Sequence, residues 1–170
     1  ETYDNNAENE PTRDLDAVNR VMPELRADKT AIQGFIAQGH KAIIYQGWQD
    51  PSTNAGPTIR YYGALARANG GAEKLSQGVR LFMAPGMYHC RGGPGADLFG
   101  GSGHAPLPPK PENDVLWALV QWVEQGKAPA SLVATRVEGE GVRFTRRLCP
   151  FPQSARYDGT GDAADAASYS

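Results

Sequence analysis

The sequence predicts an α/β fold, and three observations predict it. Two short apolar runs, Lys41 to Tyr45 and Val79 to Met83, have the length and content of buried strands. One helical pattern precedes the first run and another separates the two. Glycine or proline punctuates the boundaries. Helix, strand, helix, strand is the order of a right-handed crossover between parallel strands.

Residues 1–14 are rich in Asn, Glu and Asp, show no apolar periodicity and read as a loosely ordered polar lead-in. They lack the basic start, apolar stretch and cleavage site of a signal peptide, so if the protein is exported its signal lies elsewhere. From Asp16, the residues Val18, Val21, Met22 and Leu25 recur at helical spacing, and Pro23 ends or kinks that helix. A further helix has Asp28 as N-cap, Ile32, Phe35 and Ile36 on one face, and Gly39 as its left-handed stop. The first strand runs into Gly47-Trp48-Gln49-Asp50-Pro51. Pro57 then suits a first helical turn, Ile59, Tyr62, Leu65 and Ala66 form an apolar face, and Gly70-Gly71 end the helix.

The second strand leads into Pro85-Gly86-Met87-Tyr88-His89-Cys90. Residues 91–111, dense in Gly and Pro, read as a long loop whose length marks it as functional or inserted. Residues 113–125 are an amphipathic helix by Val115, Leu116, Leu119, Val120 and Val123, stopped by Gly126 with Pro129 beyond. Leu132 to Val137 and Val142 to Arg147 alternate around Glu138-Gly139-Glu140-Gly141, which reads as a β-hairpin. Residues 158–170 are a small polar tail with little to bury.

With 170 residues, 40% apolar and 21% charged, the chain fits one soluble domain or a piece of one. Two parallel strands make an underbuilt sheet, so further strands are expected from sequence upstream of Glu1. A net charge of -2 with scattered basic residues gives no reason to expect nucleic acid or an anionic membrane as partner. The longest apolar run, Val115 to Val123, is broken by Gln121 and falls short of the roughly 20 residues of a membrane span. Cys90 and Cys149 match no zinc pattern, and counting leaves them as buried thiols, one bridge, or halves of bridges to absent segments.

Asp50 and His89 each sit just past the carboxyl end of a predicted strand, where open parallel sheets place their active sites. A carboxylate there can hold imidazole Nδ1 and stabilise the imidazolium formed when Nε2 takes a proton. Acid before His, each after its own strand, fits the α/β-hydrolase order of Ser, acid, His, which puts the nucleophile before residue 1. Spacing alone leaves a plainer reading open, since Asp before Pro commonly shapes a turn and a lone His is commonly a hydrogen-bonded loop residue.

Other candidates are weaker. Gly100-Gly101-Ser102-Gly103-His104 imitates a nucleophile elbow, but His stands where Gly belongs and no strand precedes it, so Ser102 is set aside. His40 reads as a surface or helix-end residue, and His89, Cys90 and His104 lack a fourth metal ligand. Asp158, Thr160 and Asp162 start like a calcium loop but lack its later Gly and Glu, and read as a turn. Arg91-Gly92-Gly93-Pro94-Gly95 is no phosphate cradle, because Pro94 removes an amide donor and no Lys-Ser/Thr follows. Trp48, Trp117 and Trp122 read as packing residues, with Trp48 also placed to wall a pocket for an aromatic acyl group.

Gly47 to Pro51, Ala84 to Cys90, and Gly92-Gly93-Pro94-Gly95 resemble the acid and histidine motifs of the tannase/feruloyl esterase family. Trp122 to Pro129, Leu148-Cys149-Pro150-Phe151-Pro152 and Ala155-Arg156-Tyr157 are similar to its C-terminal segments, and His-Cys followed by Gly-Gly-Pro-Gly is the most specific part. The resemblance implies that residues 15–157 are the C-terminal part of an α/β-hydrolase, with parallel strands, flanking helices and a hairpin. It implies a secreted or periplasmic serine esterase acting on small-molecule esters of aromatic acids. The family's lid domain, inserted between nucleophile and acid, often holds structural calcium; no cofactor is expected in this chain.

By the same resemblance Asp50 is the acid and His89 the base, and these residues alone are expected to be inactive. Cys90 would bridge to a cysteine beside the nucleophilic Ser, pinning the His loop near the nucleophile. Cys149 would bridge to a cysteine near the very C-terminus. Neither partner is in the chain, and a Cys90 to Cys149 bridge is the alternative that would exclude both pairings. The runner-up reading is a non-catalytic homologue that binds an aromatic ligand or a protein partner; a third is another α/β-hydrolase, such as a peptidase.

Overall fold

The computed structural model describes residues 11–23, 29–101 and 108–170. In chain order the elements are α1 (Pro11–Val21), α2 (Gln33–Ala37), β1 (Ala42–Gly47), α3 (Ala55–Ala68), α4 (Ala72–Ser76) and β2 (Val79–Ala84), then α5 (Val115–Gln125), β3 (Leu132–Glu138) and β4 (Gly141–Leu148). A 3-10 turn, Ala166–Ser168, follows.

Strands β1 and β2 are parallel, in register from Ala42 opposite Val79 to Gly47 opposite Ala84. The crossover between them is α3 followed by α4. The side-chain period of two assigns alternate residues to opposite faces. Phe82 and Ala84, with Ile43 and Tyr45, pack against Val115 and Ala118 of α5 and Leu132, Ala134 and Leu148 of the hairpin. Val79, Leu81 and Met83, with Ala42 and Ile44, pack against Tyr62 and Leu65 of α3 and Leu75 of α4. Helices therefore cover both faces, as a parallel pair requires.

Local chemistry sets the helix ends. The Asn54 side chain accepts a hydrogen bond from the Gly56 amide at 3.1 Å and caps α3. Asp114 does the same for α5, accepting from the amides of Leu116 and Trp117. Gly126, at φ 69°, closes α5 in the left-handed region that suits glycine. The hairpin turns at Gly139-Glu140 and pairs Leu132 with Leu148.

Five details differ from the sequence expectation. Helix α1 opens at Pro11, inside the stretch taken as lead-in, because proline at the first helical position has no intrahelical N–H to lose. Short α4, starting directly after the glycine stop of α3, carries only Leu75 into the core and leaves too little periodicity to read. The loop at 91–101, read only as a Gly- and Pro-rich connection, packs into the core: Ala96 and Phe99 are buried and the Phe99 ring meets Tyr45 edge-on at 5.4 Å. The polar tail folds back onto β4: Ala166 is buried, its amide donates to Thr145 Oγ1 at 2.7 Å, and Arg156 and Ser170 exchange two backbone hydrogen bonds. The N-cap position of α2 is also not the expected one: it falls on Ile32, with no side-chain cap hydrogen bond, and Asp28 lies outside the described residues.

Candidate active site

The carboxyl ends of β1 and β2 release two loops on the same rim of the sheet, and backbone hydrogen bonds tie them together. The Trp48 amide donates to the Ala84 carbonyl at 3.0 Å and the Gln49 amide to the Met87 carbonyl at 3.1 Å. The loops approach so closely at Gly47 that any Cβ there would strike the carbonyl oxygens of Met87 and Tyr88. Glycine at that point is a condition of the site.

Asp50 and His89 meet across this junction. His89 Nδ1 lies 2.7 Å from Asp50 Oδ2, with the carboxylate side chain 1% exposed and the imidazole 59% exposed. Burial by itself would raise the carboxyl pKa. It is outweighed by the Thr53 amide, then His89, the Ser52 amide and the Gln46 side chain, which together hold Asp50 well below the usual carboxylate range. An ionised carboxylate only accepts hydrogen bonds, so Nδ1 carries the proton in neutral His89. The lone pair is left on Nε2, which has no hydrogen-bond partner among the described residues. A buried, ionised carboxylate orienting an imidazole with its basic nitrogen outward can withdraw a proton from an acid placed over that nitrogen.

The remaining lone pairs of Asp50 are occupied. Oδ1 accepts from the amides of Ser52 and Thr53, each at 2.9 Å, and from Ser52 Oγ at 3.2 Å. Oδ2 accepts from Gln46 Nε2 at 3.0 Å as well as from His89. Gln46 is held in turn, donating to the Thr53 carbonyl at 2.9 Å and accepting from Thr58 Oγ1 at 3.3 Å. Sequence reasoning missed Gln46; the available signal was a polar side chain inside an otherwise apolar strand, four residues before the acid.

The His89 loop is compact. The Tyr88 amide donates to the Gly92 carbonyl at 3.1 Å, the Gly95 amide to Gly86 at 3.0 Å and the Arg91 amide to His89 at 2.8 Å. A Cβ on Gly93 or Gly95 would collide with the carbonyls of Gly86 and Pro85 respectively, so these two glycines let two backbones touch. Cys90, at φ 64°, sits in the left-handed region uncommon for a residue with a side chain.

Trp48 is half-exposed and lines a cleft of about 200 Å³ with Met83, Pro85, Cys149, Phe151 and Tyr169. Asp50 and His89 do not line that cleft. Trp122 is buried between Lys41 and Arg80, whereas Trp117 is half-exposed. His40 hydrogen-bonds Gln38 and lies tilted against the Phe35 ring at the end of α2. Asp158 accepts from Ser170 Oγ, and the Asp162 side chain from the Ala164 amide, as turn residues do. Ser102 and His104 lie outside the described residues. No disulfide joins Cys90 to Cys149, and among the described residues no group of three or more His, Cys, Asp or Glu is placed to hold a metal. None of the described helices is long and apolar enough to cross a membrane.

Comparison with known proteins gives the family. The family pattern described as "Tannase and feruloyl esterase" matches residues 1–170. The chain is 38% identical over 159 residues to an uncharacterized esterase of Xanthomonas campestris pv. campestris, covering 84% of this chain and 28% of that protein. It is 41% identical over 140 residues to the mono(2-hydroxyethyl) terephthalate hydrolase of Piscinibacter sakaiensis, covering 80% and 20%. Crystal structures of an esterase and of feruloyl esterase B, both from Aspergillus oryzae, superpose with TM-scores of 0.83 and 0.81 at 31% and 29% identity. Each match covers 93% of this chain and 32% of that one, so the chain spans less than a third of the length of these relatives.

Proposed function

Since the chain belongs to the tannase and feruloyl esterase family, with the α/β-hydrolase fold of that family, we propose that it supplies the acid and the general base of a serine carboxylic ester hydrolase. The observation that carries this reading is the 2.7 Å contact between His89 Nδ1 and the buried Asp50 carboxylate, on an exposed ring whose Nε2 has no hydrogen-bond partner among the described residues.

In this reading a serine supplied by sequence outside the 170 residues attacks the ester carbonyl while His89 Nε2 takes its proton. Asp50 stabilises the resulting imidazolium, which returns the proton to the departing alkoxide. The acyl-enzyme is then released by a water that His89 activates in the same way. The substrates are small-molecule esters of aromatic acids: feruloyl esterase B and the terephthalate ester hydrolase among the relatives are named for such esters. We place the enzyme outside the cytoplasm. There Cys90 would pair with a cysteine beside the nucleophile and Cys149 with one further along the chain, each bridge fixing its loop from a second side.

The test is steady-state hydrolysis of methyl ferulate and a p-nitrophenyl ester by the full-length protein. His89→Ala and Asp50→Asn are each expected to lower kcat on the order of 10⁴-fold with the fold intact, the asparagine because it leaves the imidazole in the wrong tautomer. Full activity in either variant would remove the assignment. Ligand binding without turnover in the unmodified protein would leave a non-catalytic homologue in its place.

A further inference from the structure

We propose that Arg136, in the C-terminal hairpin, is a positioning residue for the general base, holding the His89 loop through its backbone carbonyls. This inference rests on His89 acting as the base.

The loop that carries His89 is anchored at its start by the buried Met87, but its glycine run offers no side chain for the same purpose. Arg136 Nη1 reaches across from β3 and donates to the Gly93 carbonyl at 2.7 Å, with the Gly95 carbonyl at 3.4 Å. Asp97 closes the clamp from the other side, accepting from the Gly92 amide at 2.7 Å while its second oxygen lies 3.5 Å from Arg136 Nη1. Glu138 faces the same guanidinium at 3.8 Å from Nε and is itself paired with Arg143. The strand is docked beside the loop independently, by reciprocal backbone hydrogen bonds between Leu98 and Thr135 at 3.0 and 2.9 Å.

Register in the hairpin breaks between Arg136 and Val137, and such an irregularity is a recognised way to re-aim a side chain. All three contacts run through Nη1, one arm of the guanidinium, so a single charged nitrogen is shared by two carbonyls and a carboxylate. Arg136 thus adds a support on the backbone of the His89 loop to the one that Asp50 gives the ring. Displacement of a reacting group by about 1 Å can cost roughly 100-fold in rate, so a support that touches no substrate still has a kinetic signature.

The experiment compares Arg136→Met, Arg136→Lys, Asp97→Asn and His89→Ala in the full-length protein, with ester hydrolysis and amide hydrogen exchange as readouts. Arg136→Met is expected to lower kcat about 10- to 100-fold with KM within about twofold. Exchange at Gly92 and Gly95 should rise, free guanidinium ion should restore part of kcat, and Arg136→Lys should fall between. Should Arg136→Met fail to fold, Arg136→Lys and Asp97→Asn carry the same comparison. Unchanged kcat in the arginine variants beside an inactive His89→Ala would overturn the brace and leave the base intact. Undiminished activity in His89→Ala would overturn the base, and with it any catalytic meaning of the brace.

Discussion

At the scale of single residues, the site depends on one carboxylate being kept charged where burial opposes it. Asp50 collects two amides, a hydroxyl, a carboxamide and an imidazole, and that set exceeds the desolvation cost. Its pKa in the folded protein lies below its ordinary value of 3.8, so the folded state binds this proton less readily than the unfolded chain. The stabilisation is therefore complete above the ordinary value and is lost as pH falls through the folded-state pKa. Melting temperatures of the unmodified protein and Asp50→Asn should differ most above about pH 5, and the gap should narrow on acidification toward about pH 2. A gap that stays constant over that range would show that the carboxylate is not held charged by the fold.

At the scale of elements, backbone conformation decides what a glycine is for, and two glycines with open space around them show it. A Cβ on Gly34 in α2 or on Gly126 after α5 would meet nothing within 4 Å. Gly126 has φ 69°, however, where a side chain costs about 1 kcal/mol, while Gly34 lies inside a helix that alanine favours by roughly as much. Gly126→Ala should destabilise by about 1 kcal/mol and Gly34→Ala should stabilise by up to about 1 kcal/mol, with esterase activity unchanged in both. Urea denaturation checks the pair; equal shifts of the same sign would refute the conformational account.

The same contrast explains what could be read ahead of the structure. Strands β1 and β2, helices α3 and α5, the hairpin, and the positions of Asp50 and His89 all follow from patterns confined to a few neighbouring residues. Gln46, Asp97 and Arg136 act through contacts to backbone groups or to residues elsewhere in the fold. Arg136 in an alternating strand looks like any outward-facing polar residue. The tail misled for a similar reason, because its docking is carried by hydrogen bonds and one buried alanine, with no apolar periodicity to announce it.

At the scale of the whole molecule, the two parallel strands are unequally covered. β2 is buried at five of its six positions, whereas β1, the other edge of the pair among the described residues, is only partly covered at Ile43, Ile44 and Tyr45. An apolar edge strand is a pairing surface, and parallel sheets of two strands are rare. With relatives about three times as long, this edge is where further strands of the sheet would pair, on the Asp50 side of the site. That arrangement would carry the nucleophile to Nε2 of His89. A fluorophosphonate probe, which phosphonylates only an activated serine, should label the full-length protein at a serine outside the 170 residues. It should fail to label His89→Ala and should leave residues 1–170, prepared alone, unmodified. Peptide mapping reads the position directly: a label on Ser102 would mean that the chain carries its own nucleophile, and the division of the triad between this segment and the rest of the enzyme would be wrong.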